Sequence, residues 1–207
     1  MDSHECEIDK YIKDLSIPIL ESIEKTEIEK FQPYYLRYYE DKYCVEFNRD
    51  GVNNDVLLRF HTNRIVLISL AKGHDIIRQE KIIEGINFEV KGVNRTEICL
   101  SGKKKHGAKK LRQDSVLCYI KCKDDDKEYP VYTSVPASFI EVNSHILKDP
   151  HLLVSDYKKL GYIGVLYPQC YGPKSMSVDV MAEKYKLLSE KEYEDYLLSN
   201  IPNKIIN

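Results

Sequence analysis

Hydrophobic and polar residues alternate most clearly in the middle of the chain, where two extended segments flank a charged turn. From Val116 to Cys122 every second residue is apolar and shares one face. The segment that begins at Tyr129 is rich in aromatic and β-branched residues, and KDDDKE lies between the two. This pattern predicts a β-hairpin with Ile120 facing the core and a solvated tip at Asp125. We expect the return strand to end at Asn143, which starts a short helical turn.

The same alternation predicts further strands. Their apolar residues are two apart or form a short run, in the segments Tyr43 to Phe47, Ile65 to Leu70, Ile86 to Val90, and Ile98 to Leu100. Turn residues such as Asn48 to Gly51 separate them. A many-stranded region between Tyr43 and Pro168, punctuated by turns, is typical of a closed or sandwiched barrel.

The end of the chain is predicted to be helical. Ser189 and Glu192 have the spacing of a capping box, and Leu188 and Tyr193 that of a hydrophobic staple. Tyr193 and Tyr196 then start an apolar stripe. We expect this helix to cover part of the barrel, and partner binding is the alternative.

The first part of the chain is charged and carries apolar residues at helical spacing before Pro18 ends the pattern. Such a short element either docks on the domain or a partner, or forms a mobile extension. The predicted organisation is an N-terminal extension, partly mobile, over residues 1–30. A β-domain over residues 31–168 and a linker with a helix over residues 169–207 follow.

Four segments carry a family resemblance. They are PYYLRYYEDKYC at Pro33 to Cys44, HTNRIVLISLAKGH at His61 to His74, SGKKKHGAKKL at Ser101 to Leu111, and GYIGVLYP at Gly161 to Pro168. In this order they resemble the Abitram family, also called Simiate. The segment Ser134 to Asn143 is also similar to the region after the lipoyl-lysine hairpin in glycine cleavage H-proteins. These resemblances imply a mainly β, H-protein-like barrel-sandwich hybrid, like lipoyl and biotinyl domains, with a C-terminal helix.

The resemblance to the Abitram family also implies a function. It implies a non-enzymatic protein that binds actin, modulates actin assembly in filopodia and dendritic growth, and modulates transcription. The implied locations are the nucleus, including nuclear speckles, and the cytoplasm, including actin-rich cell projections. Nuclear transcription factors or other proteins are further expected partners. A lipoyl carrier of the glycine cleavage type and a nucleic-acid-binding module remain alternatives.

Composition narrows the class of protein. The 207 residues are 43% hydrophobic, enough for a packed core, and the net charge is -2 from 31 basic and 33 acidic residues. No apolar run approaches the roughly 20 residues that span a bilayer, and no signal peptide pattern is present. We therefore expect an intracellular protein without membrane insertion. Its six cysteines are predicted to be reduced and mostly buried.

A carrier protein would need a lysine at the tip of the hairpin. Counting back from Asn143 along the H-protein pattern places Asp126 at the lipoyl-lysine position. Lys127 is the acceptor only if the register slips by one residue, which moves a side chain to the opposite face. We therefore predict no lipoyl or biotinyl group. Histidines and cysteines lack metal-ligand spacing and catalytic motifs are missing from the sequence, so we predict no enzyme, cofactor or metal site.

Residues 103–112, the basic segment, contain no acid. Their cations are Lys103, Lys104, Lys105, Lys109, Lys110 and Arg112. Such a local positive field can steer an acidic partner, whether a nucleic acid backbone or the acidic surface of actin. Solubility and nuclear localisation are alternative roles. No aromatic residues interleave with these lysines, which argues against direct nucleic-acid binding.

Residues 33–39, the tyrosine segment, contain Tyr34, Tyr35, Tyr38 and Tyr39 beside Arg37. Tyrosine gives contact area at low entropy cost, so this composition is enriched at interfaces. The same rings could instead pack onto the barrel with their hydroxyls facing water. The tyrosine segment is the second candidate partner-binding surface.

Overall fold

The computed structural model describes residues 37–49, 51–96, 109–123, 125–169 and 176–200. Apart from Arg37, these residues belong to one compact unit, Tyr38–Asn207. The predictions for residues 1–30, for the strand Ile98 to Leu100 and for Lys103 to Lys105 lie outside the described residues. Tyr34 and Tyr35 also lie outside them.

Strands make up most of the regular structure. They are β1 (Tyr39–Cys44), β2 (Val56–His61), β3 (Val66–Leu70), β4 (Ile83–Asn87), β5 (Glu89–Val90), β6 (Val93–Asn94), β7 (Lys109–Leu111), β8 (Val116–Cys122), β9 (Glu128–Tyr132), β10 (Ala137–Val142) and β11 (Gly164–Pro168). The helices are α1 (Asp75–Arg78), α2 (Ser144–Lys148), α3 (Leu152–Ser155), α4 (Val178–Lys184) and α5 (Glu190–Asn200). The predicted mainly β fold class with a C-terminal helix is confirmed.

Two sheets enclose the core. The larger sheet has six strands in the order β1-β2-β3-β11-β10-β7, and the smaller has three in the order β4-β8-β9. A further pair is formed by β5 and β6. Buried side chains from both sheets form one hydrophobic cluster, among them Ile68, Ile120 and Phe139, each fully buried. Of the two predicted arrangements, closed or sandwiched, the described strands form the sandwiched one.

The hairpin β8–β9 is present, and Ile120 faces the core as predicted. Its alternation is imperfect because the register shifts between Val116 and Cys118. Leu117 and Cys118 are therefore both buried, while Val116 is half-buried. A bulge of this kind lets two adjacent residues oppose one on the neighbouring strand.

The prediction of one return strand as far as Asn143 is wrong. The strand β9 ends at Tyr132 in the three-stranded sheet, and β10 begins at Ala137 in the six-stranded sheet. Between them Ser134 adopts a φ of 66°, an unusual conformation for a residue with a side chain. The chain turns from one sheet to the other here. Asn143 does start the helical turn, because its side chain accepts a hydrogen bond from the His145 amide.

The C-terminal helix α5 has the predicted capping box. The Ser189 amide donates to Glu192 Oε2 at 2.8 Å, and the Glu192 amide donates to Ser189 Oγ at 3.4 Å. Just before it, Leu188 exchanges two backbone hydrogen bonds with Tyr43, each 2.8 Å long, on the outer side of β1. The chain therefore covers part of that sheet edge. None of the described helices is long and apolar enough to cross a bilayer.

Candidate partner-binding surface

The described residues of the two candidate surfaces lie at the two edge strands of the six-stranded sheet. Tyr39 begins β1 at one edge, and Lys109 and Lys110 belong to β7 at the other edge. Four strands separate β1 from β7 in the sheet order. The described part of the tyrosine segment and the described part of the basic segment are thus separate surfaces on one sheet.

On the β1 edge, tyrosine rings pack beside a histidine and an arginine. Tyr39 meets the His61 ring edge-on at a centroid distance of 4.8 Å, and the Arg59 guanidinium lies 4.9 Å from the Tyr39 centroid. Tyr38 also stacks against the His61 ring, at a centroid distance of 6.2 Å, and remains 47% exposed. Tyr39 therefore packs onto the sheet, whereas Tyr38 offers its ring to solvent.

Two hydrogen-bond partners hold the Arg59 side chain in place. It is buried, its Nε donates to Asp41 Oδ1 at 2.9 Å, and its Nη1 donates to the Lys158 carbonyl oxygen. A guanidinium held in this way has a fixed plane, so it orients the Tyr39 ring above it. Arg59 therefore supports the Tyr39 ring on the β1 edge.

On the β7 edge, the cations differ in environment. Lys109 is half-buried, and Lys110 is exposed. Arg112 forms a forked ion pair with Asp114, with Nε to Oδ1 at 3.0 Å and Nη2 to Oδ2 at 2.5 Å. This guanidinium lowers the pKa of the Asp114 carboxyl. Because both side chains are largely exposed, the pair partly neutralises Arg112 without adding much stability.

The ends of β1 and β7 approach each other and form an open groove of about 640 Å³. Gln113 Nε2, just after β7, donates to Glu46 Oε2, just after β1, at 3.4 Å. Apolar surface in the groove comes from Phe47, Leu111 and Pro136. The sequence did not predict this groove, because its residues 46–49 and 110–114 are more than sixty positions apart and no local pattern connects them.

The tip of the β8–β9 hairpin differs from the predicted solvated turn at Asp125. Lys81 Nζ lies 2.6 Å from Asp125 Oδ2, and the Tyr129 hydroxyl donates to the same oxygen at 2.5 Å. These hydrogen bonds hold the pKa of Asp125 well below its usual range and raise that of Lys81. Asp125 is therefore a structural anchor, which corrects the expectation of a free tip. Asp126 and Lys127 are exposed.

The described histidine at position 74 and three of the cysteines are buried in the core. His74 is fully buried and accepts a hydrogen bond from the Ile76 amide at the start of α1, while its Nε2 has no hydrogen-bond partner among the described residues. Burial lowers the pKa of His74 to about 4. Cys44, Cys118 and Cys122 are buried free thiols, and burial raises the pKa of each. Across the described ranges, no three histidine, cysteine or acidic side chains are grouped so that they could hold a metal ion.

The chain is similar in sequence to several known proteins. No family model matches the chain. It is 32% identical to Protein Abitram of Xenopus tropicalis over 164 residues, covering 79% of this chain and 85% of that protein. It is 31% identical to Protein Abitram of Homo sapiens, with coverages of 81% and 86%, and 28% identical to that of Dictyostelium discoideum, with 80% and 87%.

Among solved structures, the fold is similar to a glycine cleavage system H protein from Mycobacterium marinum. The TM-score is 0.49 at 9% sequence identity, and the match covers 76% of this chain and 96% of that chain.

Proposed function

The chain belongs to the Abitram family, and from that membership we propose that it is a non-enzymatic protein that binds actin and modulates actin assembly. The observation that carries the proposal is the family match itself, which covers 81% of this chain in the comparison with the human relative. The family resemblance of the four sequence motifs implied this activity.

The proposed contact with actin is electrostatic. The cations of residues 103–112 form a local positive cluster on a chain whose net charge is slightly negative. A positive patch of this kind raises the association rate with an acidic surface and loses its effect at high salt. Lys110 is exposed on an edge strand, where a partner can reach it.

We also propose a nuclear role in transcription modulation, with a location in nuclear speckles as well as in the cytoplasm and actin-rich projections. The basic segment supports it in two ways, because a lysine cluster can serve as a nuclear localisation signal and can contact acidic nuclear proteins. The location is tested by imaging the tagged protein in cells of its own host. A variant with the lysines of residues 103–105 changed to glutamine should be depleted from the nucleus.

Actin binding is tested with the full chain by co-sedimentation with filaments and by titration of fluorescently labelled monomers, each at low and high salt. Binding that weakens with salt supports the proposal. The proposal fails if neither filaments nor monomers bind at low salt. An affinity pull-down from host extract then distinguishes the alternatives, since a carrier protein would retain glycine cleavage enzymes and a nucleic-acid-binding module would retain nucleic acid.

A further inference from the structure

The groove between the ends of β1 and β7 has an apolar floor. Phe47 and Leu111 are each only 5% exposed and belong to the main hydrophobic cluster, so they are firmly held. The Phe47 ring stacks on Tyr132 at a centroid distance of 4.5 Å. Half-buried Pro136 adds a further apolar surface. A ligand side chain that packs here would meet a preformed surface.

The acidic and basic side chains around this floor differ in whether they are paired. The two acids of the groove already have cationic partners, because Glu46 pairs with Lys186 at 3.3 Å and Asp114 pairs with Arg112. In contrast, Lys110 and Arg49 make no ion pair within the part of the chain that the structure describes. The Arg49 guanidinium lies over the Phe47 ring at 5.9 Å. The charges left over at the rim of the groove are therefore positive.

The strand β7, which forms one wall of the groove, is an edge strand with one side of its backbone available among the described strands. Tyr43 on the outer side of β1 exchanges backbone hydrogen bonds with Leu188, whereas β7 pairs only with β10 among the described strands. An edge strand of this kind can accept an additional strand from a partner, with main-chain hydrogen bonds giving affinity and alternate side chains giving specificity. Lysines on an edge strand also discourage unselective pairing.

We propose that this groove binds an extended acidic segment of a partner protein that adds as a strand to β7. Carboxylates of the segment meet Lys110 and Arg49, and an apolar side chain beside them packs on Phe47 and Leu111. The inference rests on the proposed function in one respect, which is that actin is the natural source of the acidic segment. The groove and its charge requirement are independent of the partner's identity.

The test uses the full chain and a labelled synthetic peptide in which glutamate alternates with leucine, titrated by fluorescence anisotropy at low and high salt. The same peptide with lysine in place of each glutamate is the charge control. We expect the glutamate peptide alone to bind, and we expect its binding to weaken with salt. In hydrogen-exchange measurements, the bound peptide should slow exchange at the amides of residues 109–111.

The protein variants are Lys110→Glu and Arg49→Glu, which should each weaken peptide binding about tenfold because an attraction becomes a repulsion. The matched control is Lys148→Glu. Lys148 is exposed on α2, which follows β10. The groove lies at the opposite end of β10, and this strand is about 16 Å long at ~3.3 Å per residue. Thermal melts establish that all three variants fold.

Equal binding of the lysine peptide, equal weakening by Lys148→Glu, or unchanged exchange at residues 109–111 would overturn the inference. So would a lack of any binding, in which case Lys109 and Lys110 only protect the edge. If the peptide binds in the groove but actin does not bind the protein, the proposed function fails and the groove remains a site for another acidic partner.

Discussion

The Tyr193 hydroxyl donates a 2.7 Å hydrogen bond to Asp55 Oδ2 and accepts a 2.8 Å bond from the Gly73 amide, so one side chain of α5 joins two loops of the β-domain. Both Tyr193 and Asp55 are buried. A side chain at residue 73 would clash, because an added Cβ would lie 2.7 Å from that hydroxyl and 2.3 Å from Asp55 Oδ2. The absence of a side chain at Gly73 allows this close approach.

Replacing Tyr193 with phenylalanine should therefore destabilise the protein by about 1–3 kcal/mol. The change leaves the Asp55 carboxylate with Asn48 as its remaining side-chain donor, and it leaves the Gly73 amide buried without its acceptor. Urea unfolding measures the free energy. Tyr196→Phe is the control, since its hydroxyl accepts one longer bond of 3.2 Å and the residue is half-buried. Equal losses in both variants would contradict this role for Tyr193.

His74 should make the stability of the protein depend on pH. Its pKa is lowered from 6.5 to about 4 by burial. Between these values the unfolded chain takes up a proton at this residue and the folded chain does not, so the free energy of unfolding falls as pH falls. The loss from this group approaches about 3 kcal/mol by pH 4.

The variant His74→Asn tests this dependence, because asparagine can still cap the helix α1 and does not titrate. Unfolding free energies are measured from pH 7 to pH 4. The His74 variant should show a shallower slope than the wild type even if it is less stable throughout. The matched substitution His145→Asn, at an exposed site, controls for the effect of the chemical change itself. Parallel slopes for the wild type and His74→Asn would contradict the assignment.

Asp125 and Asp126, neighbours in the same turn, should respond differently to substitution. Asp125→Asn removes the ion pair with Lys81 and weakens the bond from the Tyr129 hydroxyl, so the melting temperature should fall. Asp126→Asn, at an exposed position, should leave it unchanged. The folded pKa of Asp125 is depressed, so its contribution is present above the normal aspartate pKa and is lost in acid. Melts at neutral and acidic pH decide between an anchored and a free tip.

The protein should carry no lipoyl or biotinyl group. Counting back from Asn143 along the H-protein pattern that this segment resembles places Asp126 at the position of the modified lysine, and Lys127 is the nearest candidate acceptor. Intact-mass analysis of protein purified from its native host measures the result directly, and the expected mass is that of the unmodified chain. A mass excess equal to either group, mapped to Lys127, would instead favour the carrier alternative.

The elements that could be predicted from the sequence are those with local signals. The strand that contains Ile120 and the capping box of Ser189 and Glu192 were predictable because their patterns lie within a few residues. The bond from Tyr193 to Asp55 joins positions 138 residues apart, and the groove contact joins Gln113 to Glu46. Periodicity carries no information about such pairs. The anchored Asp125 was missed for the same reason, since its partner Lys81 precedes a different strand.

Charge reversal of the basic segment should reduce actin binding without affecting folding. The variant replaces Lys103, Lys104, Lys105, Lys109 and Lys110 with glutamate. An exposed cluster acts over a Debye length of about 8 Å at physiological ionic strength, so its reversal should turn attraction into repulsion at low salt and matter less at high salt. The melting temperature should stay close to that of the wild type, because Lys109 and Lys110 form no ion pair with another described residue.

Filament co-sedimentation and monomer titration at two salt concentrations measure the effect, with Lys110→Glu alone as an intermediate variant. A graded loss from wild type through the single to the fivefold variant would indicate that the groove rim and the rest of the basic segment act on the same acidic surface. Undiminished binding by the folded fivefold variant would remove the basic segment from the interface. The next surface to test is then the β1 edge, where Tyr38 is exposed and Tyr39 is held over Arg59. Tyr38→Ala should weaken actin binding there, because it removes an exposed ring without disturbing the Arg59 pair with Asp41.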